Sequence, residues 1–447
     1  MPSSRSATPT GVRTRGTSRF DPASAMKSLL RVPATDVPAL TRALESALAG
    51  GPAVWPIPAA APTGLPTSGP SRRERHFPTD QADSPHLDDG KRRARRVDDA
   101  LPTEVGVRIA LVVETSGSTD APKRVALSAE ALVASADATH DALGGTGQWM
   151  LALPGHYIAG AQVLVRGLVA GTPTLTVPGD RFDPSAFAAT SAHLMPHVPH
   201  YTSLVPTQLA RVLDAAERDP FIAAALTSFD AVLVGGQALA PAIAARADAA
   251  GVRVVRTYGS SETAGGCVYD GTPIGDTRVR FDEQRVELTT ASLADGYLDD
   301  PERTATAFRT DRDGTRWYVT GDVGEFTPDG RLRVRGRADD VMISGGVKVV
   351  LGEVERAVRS VAGFAEAVVV AVPDPEWGER AAVAVAGDAG DEASALQELR
   401  TATDAAGLDP AARPVRLVVV DRLPMLASGK PDRRALADLA RDDGRAP

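Results

Sequence analysis

Between residues 107 and 256, short apolar, β-branched runs alternate with segments whose apolar residues recur at helical spacing. The runs lie at 107–113, 149–153, 174–177, 202–205, 231–234 and 252–256, and the helix-like segments at 128–143, 158–170, 207–218 and 240–250. A strand that is apolar on both faces must be covered on both. A helix between two such strands returns the chain to start the next one parallel to the first. The alternation predicts a parallel sheet with helices on its faces. From 279 to 335 the runs alternate polar and apolar residues and are separated by turns, which predicts an antiparallel subdomain. Beyond about 337 a compact α+β pattern follows. Its helices are expected at 352–361, 392–406 and 431–441, and its strands at 366–372, 381–386 and 415–420. Ahead of all these, residues 36–48 show helical spacing.

Composition narrows the function. The 447 residues carry a net charge of −8, which argues against a nucleic-acid partner, whose footprint is basic. The basic run Lys91-Arg92-Arg93-Ala94-Arg95-Arg96 lies among Asp80, Asp83, Asp88, Asp89, Asp98 and Asp99 and reads as a solvated loop. No apolar run is long enough to cross a membrane. Residues 1–25 are rich in Ser, Thr and Arg with no apolar stretch behind them, so they read as a disordered tail rather than a secretory signal. The single cysteine, Cys267, excludes an internal disulfide and reads as a small packing residue. Only five of 49 basic residues are lysine: Lys27, Lys91, Lys123, Lys348 and Lys430. An ammonium and a guanidinium are not interchangeable, and three of the five fall inside the motifs below.

Five segments carry chemistry. Thr115-Ser116-Gly117-Ser118-Thr119-Asp120-Ala121-Pro122-Lys123 follows a strand. Its hydroxyls, backbone N–H groups and ammonium suit a polyphosphate, although a flexible Ser/Thr/Gly loop would look similar. It is not a Walker loop, because no Ser or Thr follows the Lys. Tyr258-Gly259-Ser260-Ser261-Glu262-Thr263 also follows a strand, offering a flat ring for a base and a hard oxygen for Mg²⁺. Tyr318-Val319-Thr320-Gly321-Asp322 puts an Asp where ribose hydroxyls are commonly held. Gly336 to Lys348 (GRADDVMISGGVK) lies where the pattern changes from one domain to the next. Pro424 to Arg433 (PMLASGKPDR) carries Lys430 beside a glycine.

In this order, the five segments identify the chain as resembling the adenylate-forming superfamily of acyl-CoA synthetases, carrier-loading adenylation domains and luciferases. The resemblance covers about 107–440. Within it, residues 39–59, the run Leu153 to Gly160, the segment after Thr263 and the short region before the phosphate loop are similar to the o-succinylbenzoate–CoA ligase branch of menaquinone biosynthesis.

That resemblance implies an α/β protein. A large N-terminal domain at 26–336 would hold parallel sheets flanked by helices plus an antiparallel subdomain, and a small mobile α+β C-terminal domain would span 337–447. It implies a cytoplasmic, ATP-dependent acid–CoA ligase acting through an acyl adenylate, with ATP, Mg²⁺ and coenzyme A. The partners would be a small carboxylic acid, ATP and CoA, and a homodimer is compatible with the reading. The alternatives are a CoA ligase for another aryl or fatty acid, or a non-catalytic nucleotide-binding relative.

Residue by residue, the resemblance assigns the β- and γ-phosphates to Thr115, Ser116, Gly117, Ser118, Thr119 and Lys123. It gives the adenine or acyl pocket to Gly235, Gly236 and Gln237, adenine stacking to Tyr258 and its neighbour Gly259, Mg²⁺ to Glu262 and the α-phosphate to Thr263. Asp322 and Arg337 would take the ribose. Asp339 would be a hinge, Lys430 the lysine of adenylation, and Gly345, Gly346 and Lys348 the residues of the thioester step.

Two positions depart from the family. Asp120 stands where a Gly is usual, and Ser261 where a Thr is usual. His156 is a candidate wall of the acyl pocket or a packed histidine at a helix start. His193, His197 and His200 are spaced suggestively, but Pro196 and Pro199 break any helix that would align them on a metal. A basic anchor for the substrate carboxylate is expected, and Arg166 is one candidate.

Overall fold

The structure is a computed structural model that describes residues 25–58, 101–115, 122–179, 181–387, 389–425 and 431–441. Four sheets organise these residues. In the seven-stranded sheet the order is Thr272–Pro273, Gly265–Tyr269, Val254–Ser260, Ala231–Val234, His200–Leu204, Gln148–Leu151, Leu175–Thr176. From Val254–Ser260 onward all its pairs are parallel, as the alternation requires. The outer face is covered by the helices Pro184–Ser191, Pro206–Ala216, Pro220–Thr227 and Pro241–Ala249. Each opens on a proline, whose fixed φ suits a first helical turn and whose missing N–H is not needed there. Asp183 and Asp219 cap two of them by accepting backbone N–H bonds.

The inner face packs on Val37–Leu48, Ala129–Leu143 and Ile158–Ala170, which a six-stranded sheet covers from the other side. One core therefore joins Leu111 and Leu127 of one sheet to Trp149, Tyr201 and Leu233 of the other through Leu132 and Leu164 of the helices between. Here the structure corrects the placement of the first run in the parallel sheet. The run beginning near 107 is the strand Ile109–Thr115, and it belongs to the six-stranded sheet, where it pairs antiparallel with Lys123–Ser128. The reason is length. A parallel neighbour needs a crossover of about a dozen residues, and only residues 116–122 separate these two strands. The same sheet contains a unit that the sequence showed only as its helix: Met26–Pro33 and Ala53–Ile57 pair parallel with Val37–Leu48 between them.

The third sheet, Arg278–Asp282, Arg285–Thr289, Arg316–Phe326 and Phe308–Thr310 with Leu332–Arg337 alongside, is antiparallel throughout, as expected. Sheet membership then changes. Val341–Ser344 and Val347–Val350 form a hairpin in the fourth sheet, with Gly378–Ala386, Val368–Asp374 and Arg416–Val420. Its turn is Gly345-Gly346, with φ of +56° and +82°. Two successive positive φ values make the turn that matches strand twist, and glycine adopts them without strain. The helices Leu351–Val358, Glu392–Ala405 and Arg433–Arg441 pack on this sheet. No helix among the described residues is long and apolar enough to cross a membrane.

Candidate active site

The site gathers at the ends of strands from three sheets. Lys123 begins Lys123–Ser128 and lies opposite Thr115, which ends Ile109–Thr115. Ser116, Gly117, Ser118, Thr119 and Asp120 lie outside the described residues. The strand Val254–Ser260 continues past its apolar run and carries Tyr258 and Gly259 to its end. A single helical turn, Ser261–Thr263, then turns the chain back. Thr263, fully buried, holds that turn: its hydroxyl accepts from the Ser260 N–H (2.9 Å) and donates to the Gly265 carbonyl (2.7 Å).

Glu262 is 6% exposed, and among the described residues no basic side chain pairs with it. Its hydrogen-bond partner is Tyr297, whose hydroxyl donates to Oε1 at 2.7 Å. A buried carboxylate without a cation is costly. The donor set therefore fits a metal held by one carboxylate plus oxygens brought by a substrate. No group of three metal-ligating side chains is found among the described residues. His200, one of the three spaced histidines, instead faces the Met195 and Ser228 carbonyls.

A second cluster adjoins the first. The Tyr258 hydroxyl donates to Asp322 Oδ2 at 2.7 Å. Burial, then the neighbouring Asp322 carboxylate, hold that phenol well above its ordinary range, so it stays a donor. Register pairs Asp322 with Arg337, whose Nη1 is 3.6 Å from Oδ1. The Arg337 guanidinium lies against Gly321, so a side chain there would have to displace it. Arg337 also donates to both oxygens of Asp339, at 2.9 and 3.1 Å. Burial pushes the Asp339 carboxyl up, but the Arg337 hydrogen bond and charge outweigh it, and the net displacement is downward. Tyr318 is buried nearby, and its phenol is raised by burial first and then by the Glu262 charge, with Asp322 also contributing.

Gly235 and Gly236 follow Ala231–Val234. Gly235 is pressed on Thr257, where no side chain would fit, and Gly236 has φ of +84°. Gln237 follows, half-buried. Behind the Glu262 turn lies Ile158–Ala170. Its Arg166 is 3% exposed and stacks on Trp149 at 4.9 Å, near Gly265. Arg166 Nε has no hydrogen-bond partner, and among the described residues no carboxylate pairs with it. His156 sits just ahead of this helix against Tyr157, its Nδ1 buried and unpartnered and its pKa lowered by burial. Cys267 is buried, which pushes its thiol up to about 12.

Gly345 and Gly346 form the hairpin turn, and Lys348 points from the next strand into solvent. Lys430 lies outside the described residues, but the ends of its loop are joined by a bridge between Met425 and Pro431. Arg433 then anchors on Glu355 (2.7 Å) and the Val369 carbonyl (2.6 Å). The residue the motifs did not reveal is Tyr297. It stands 35 positions from the carboxylate it touches, in a Gly-Tyr pair with no periodicity to mark it.

Known proteins resemble this chain in sequence and in fold. The AMP-binding enzyme model matches residues 67–290, and the AMP-binding enzyme C-terminal domain matches 353–430. A probable 2-succinylbenzoate–CoA ligase of Mycobacterium tuberculosis is 41% identical over 340 residues, covering 73% of this chain and 84% of that protein. A 2-succinylbenzoate–CoA ligase of Enterococcus faecalis is 28% identical over 72% of this chain and 68% of its own length. The fold matches that of o-succinylbenzoate CoA synthetase from Bacillus subtilis, solved with the acyl-adenylate intermediate OSB-AMP. The TM-score is 0.64 at 24% identity, over 77% of this chain and 71% of that one. With its strand-end clusters and both family regions in order, the chain belongs to the AMP-binding, adenylate-forming enzymes.

Proposed function

We propose that this protein is an ATP-dependent 2-succinylbenzoate–CoA ligase of menaquinone biosynthesis that works through an acyl adenylate. The substrate carboxylate attacks the α-phosphorus of ATP and expels pyrophosphate. The thiol of CoA then attacks the acyl carbon, and AMP leaves. The observation that carries the reading is the pair of contact sets Lys123–Tyr297–Glu262 and Tyr258–Asp322–Arg337, in a chain 41% identical to a probable ligase of this type.

The chemistry asks for positioning and charge stabilisation rather than a protein nucleophile. Thr115, Ser116, Gly117, Ser118, Thr119 and Lys123 hold the terminal phosphates. Tyr258 packs beside the base with Gly235, Gly236 and Gln237, while Asp322 and Arg337 take the ribose. Thr263 shapes the turn next to the α-phosphate. Glu262 would hold Mg²⁺, which would supply positive charge against the phosphates. Lys430 brings its ammonium to the attacking carboxylate and the α-phosphate. For the second step the domain beginning at 337 turns about Asp339, bringing Gly345, Gly346 and Lys348 to the adenylate and its CoA.

Arg166 supports the dicarboxylate substrate. A guanidinium buried without a carboxylate near the Glu262 turn is suited to a second, non-reacting carboxylate. His156 stands at the start of the same helix as a wall of the acyl pocket. ATP and CoA as co-substrates point to the cytoplasm.

The test is pyrophosphate release across a panel of carboxylic acids, with and without CoA. Release with 2-succinylbenzoate, and thioester only when CoA is added, is the expected outcome. Release with benzoates or fatty acids instead would reassign the substrate. Silence with every acid would leave a nucleotide-binding protein without catalysis.

A further inference from the structure

Tyr297 touches both charged ends of the site, and none of the motif assignments includes it. It lies on the short strand Gly296–Tyr297, which pairs antiparallel with Val125 and Ala126, just beyond Lys123. The segment is stitched on both sides. Ala294 N–H donates to the Glu262 carbonyl (2.8 Å), Asp295 and Leu298 bond to the Ala126 and Arg124 carbonyls, and Tyr297 N–H donates to Thr304 Oγ1 (2.8 Å). The side chain is 7% exposed and therefore fixed. Its hydroxyl donates to Glu262 Oε1 at 2.7 Å, and its ring lies under the Lys123 ammonium, 5.5 Å from the centroid. That is within the range where a cation is attracted to an aromatic face.

We propose that Tyr297 is a positioning residue for the metal-binding carboxylate and the phosphate-binding lysine together. Its hydroxyl fixes one oxygen of Glu262 and leaves the other free for a divalent cation, and its ring sets the place of Lys123. The inference rests on the proposed role of Glu262. Partners that orient a metal-binding carboxylate typically change metal affinity 10- to 100-fold when removed. One side chain that serves both charges couples the seating of the metal to that of the terminal phosphates.

The experiment uses the full chain and reads Mn²⁺ binding by electron paramagnetic resonance, in the presence of α,β-methylene-ATP. Affinity for the same analogue in EDTA is measured by calorimetry. Tyr297→Phe keeps the ring and removes the hydroxyl. It should weaken Mn²⁺ about tenfold, leave nucleotide affinity in EDTA within about twofold and leave the melting temperature close to that of the parent. Tyr297→Leu removes the ring as well, and should weaken nucleotide binding in EDTA a further few-fold through Lys123. Glu262→Gln is the reference. If Glu262→Gln loses Mn²⁺ but Tyr297→Phe binds it like the parent, the Tyr297 proposal fails and the Glu262 assignment stands. If Glu262→Gln binds Mn²⁺ unchanged, both fall.

Discussion

Around Glu262 the working side chains are already tied to one another before any substrate arrives. Tyr297 holds Glu262, Tyr258 holds Asp322, and Arg337 reaches both Asp322 and Asp339. At the hairpin of the C-terminal half the opposite holds. Lys348 is exposed and makes no hydrogen bond or ion pair among the described residues, and Ile343 beside it is 55% exposed. The two regions carry motifs of similar strength in sequence, yet one is pre-set and the other is waiting. Dipoles fixed before reaction need no reorganisation during it, which suits the half proposed to hold the nucleotide. Groups left in solvent suit a half that acts only after moving.

The sharpest way to break that contrast is Lys430→Ala. It should slow adenylation by about two to three orders of magnitude, as loss of a transition-state charge contact does. Thioester formation from supplied acyl adenylate should survive. Rapid-quench measurement of each half-reaction decides the matter, and equal loss of both would contradict a division of labour. Next comes Asp322→Ala in the pre-set half. Losing a charged hydrogen-bond acceptor should raise KM for ATP about 10- to 100-fold with little change in melting temperature. An unchanged KM would detach this Asp from the nucleotide.

A smaller effect is expected at the junction. Arg335, on the last strand of the third sheet, donates to both oxygens of Glu353 in the following domain, each at 2.7 Å. The pair is only partly buried, so Arg335→Ala should change the ratio of the two half-reaction rates only a few-fold. No change in that ratio would mean the pair does not hold the halves in register. Smallest of all is Cys267. With a thiol pushed up to about 12 by burial, the thiolate fraction at pH 8 is on the order of 1 in 10⁴. Iodoacetamide should leave the folded enzyme unlabelled and fully active, and label it only after denaturation. Rapid native labelling with loss of activity would place the thiol in reach of the site.

Legibility followed the range of the interactions. The strands and the longer helices between 149 and 256 were readable because their apolar periodicity is local, and the helix 158–170 agrees at both ends. Sheet membership was not, since nothing within Ile109–Thr115 says whether it adds to one sheet or begins another. That depends on the short connection to Lys123. The helices Pro184–Ser191 and Pro220–Thr227 span too few residues for a period to emerge. The hairpin from Val341 to Val350 was hidden inside a segment read for its chemistry. In the site, single residues such as Glu262 and Asp322 could be picked out by type and position. The link from Tyr297 to Glu262 exists only once a strand from one sheet lies beside the turn of another.

Gly345 has a consequence of its own. Its N–H donates to the Trp377 carbonyl at 2.9 Å, and any Cβ there would come within 2.7 Å of the indole ring, while Ser344 pairs with Gly378 next door. The hairpin tip is thus welded to the body behind it. It has no freedom to flap by itself, so any motion of Lys348 takes the strands behind it along as cargo.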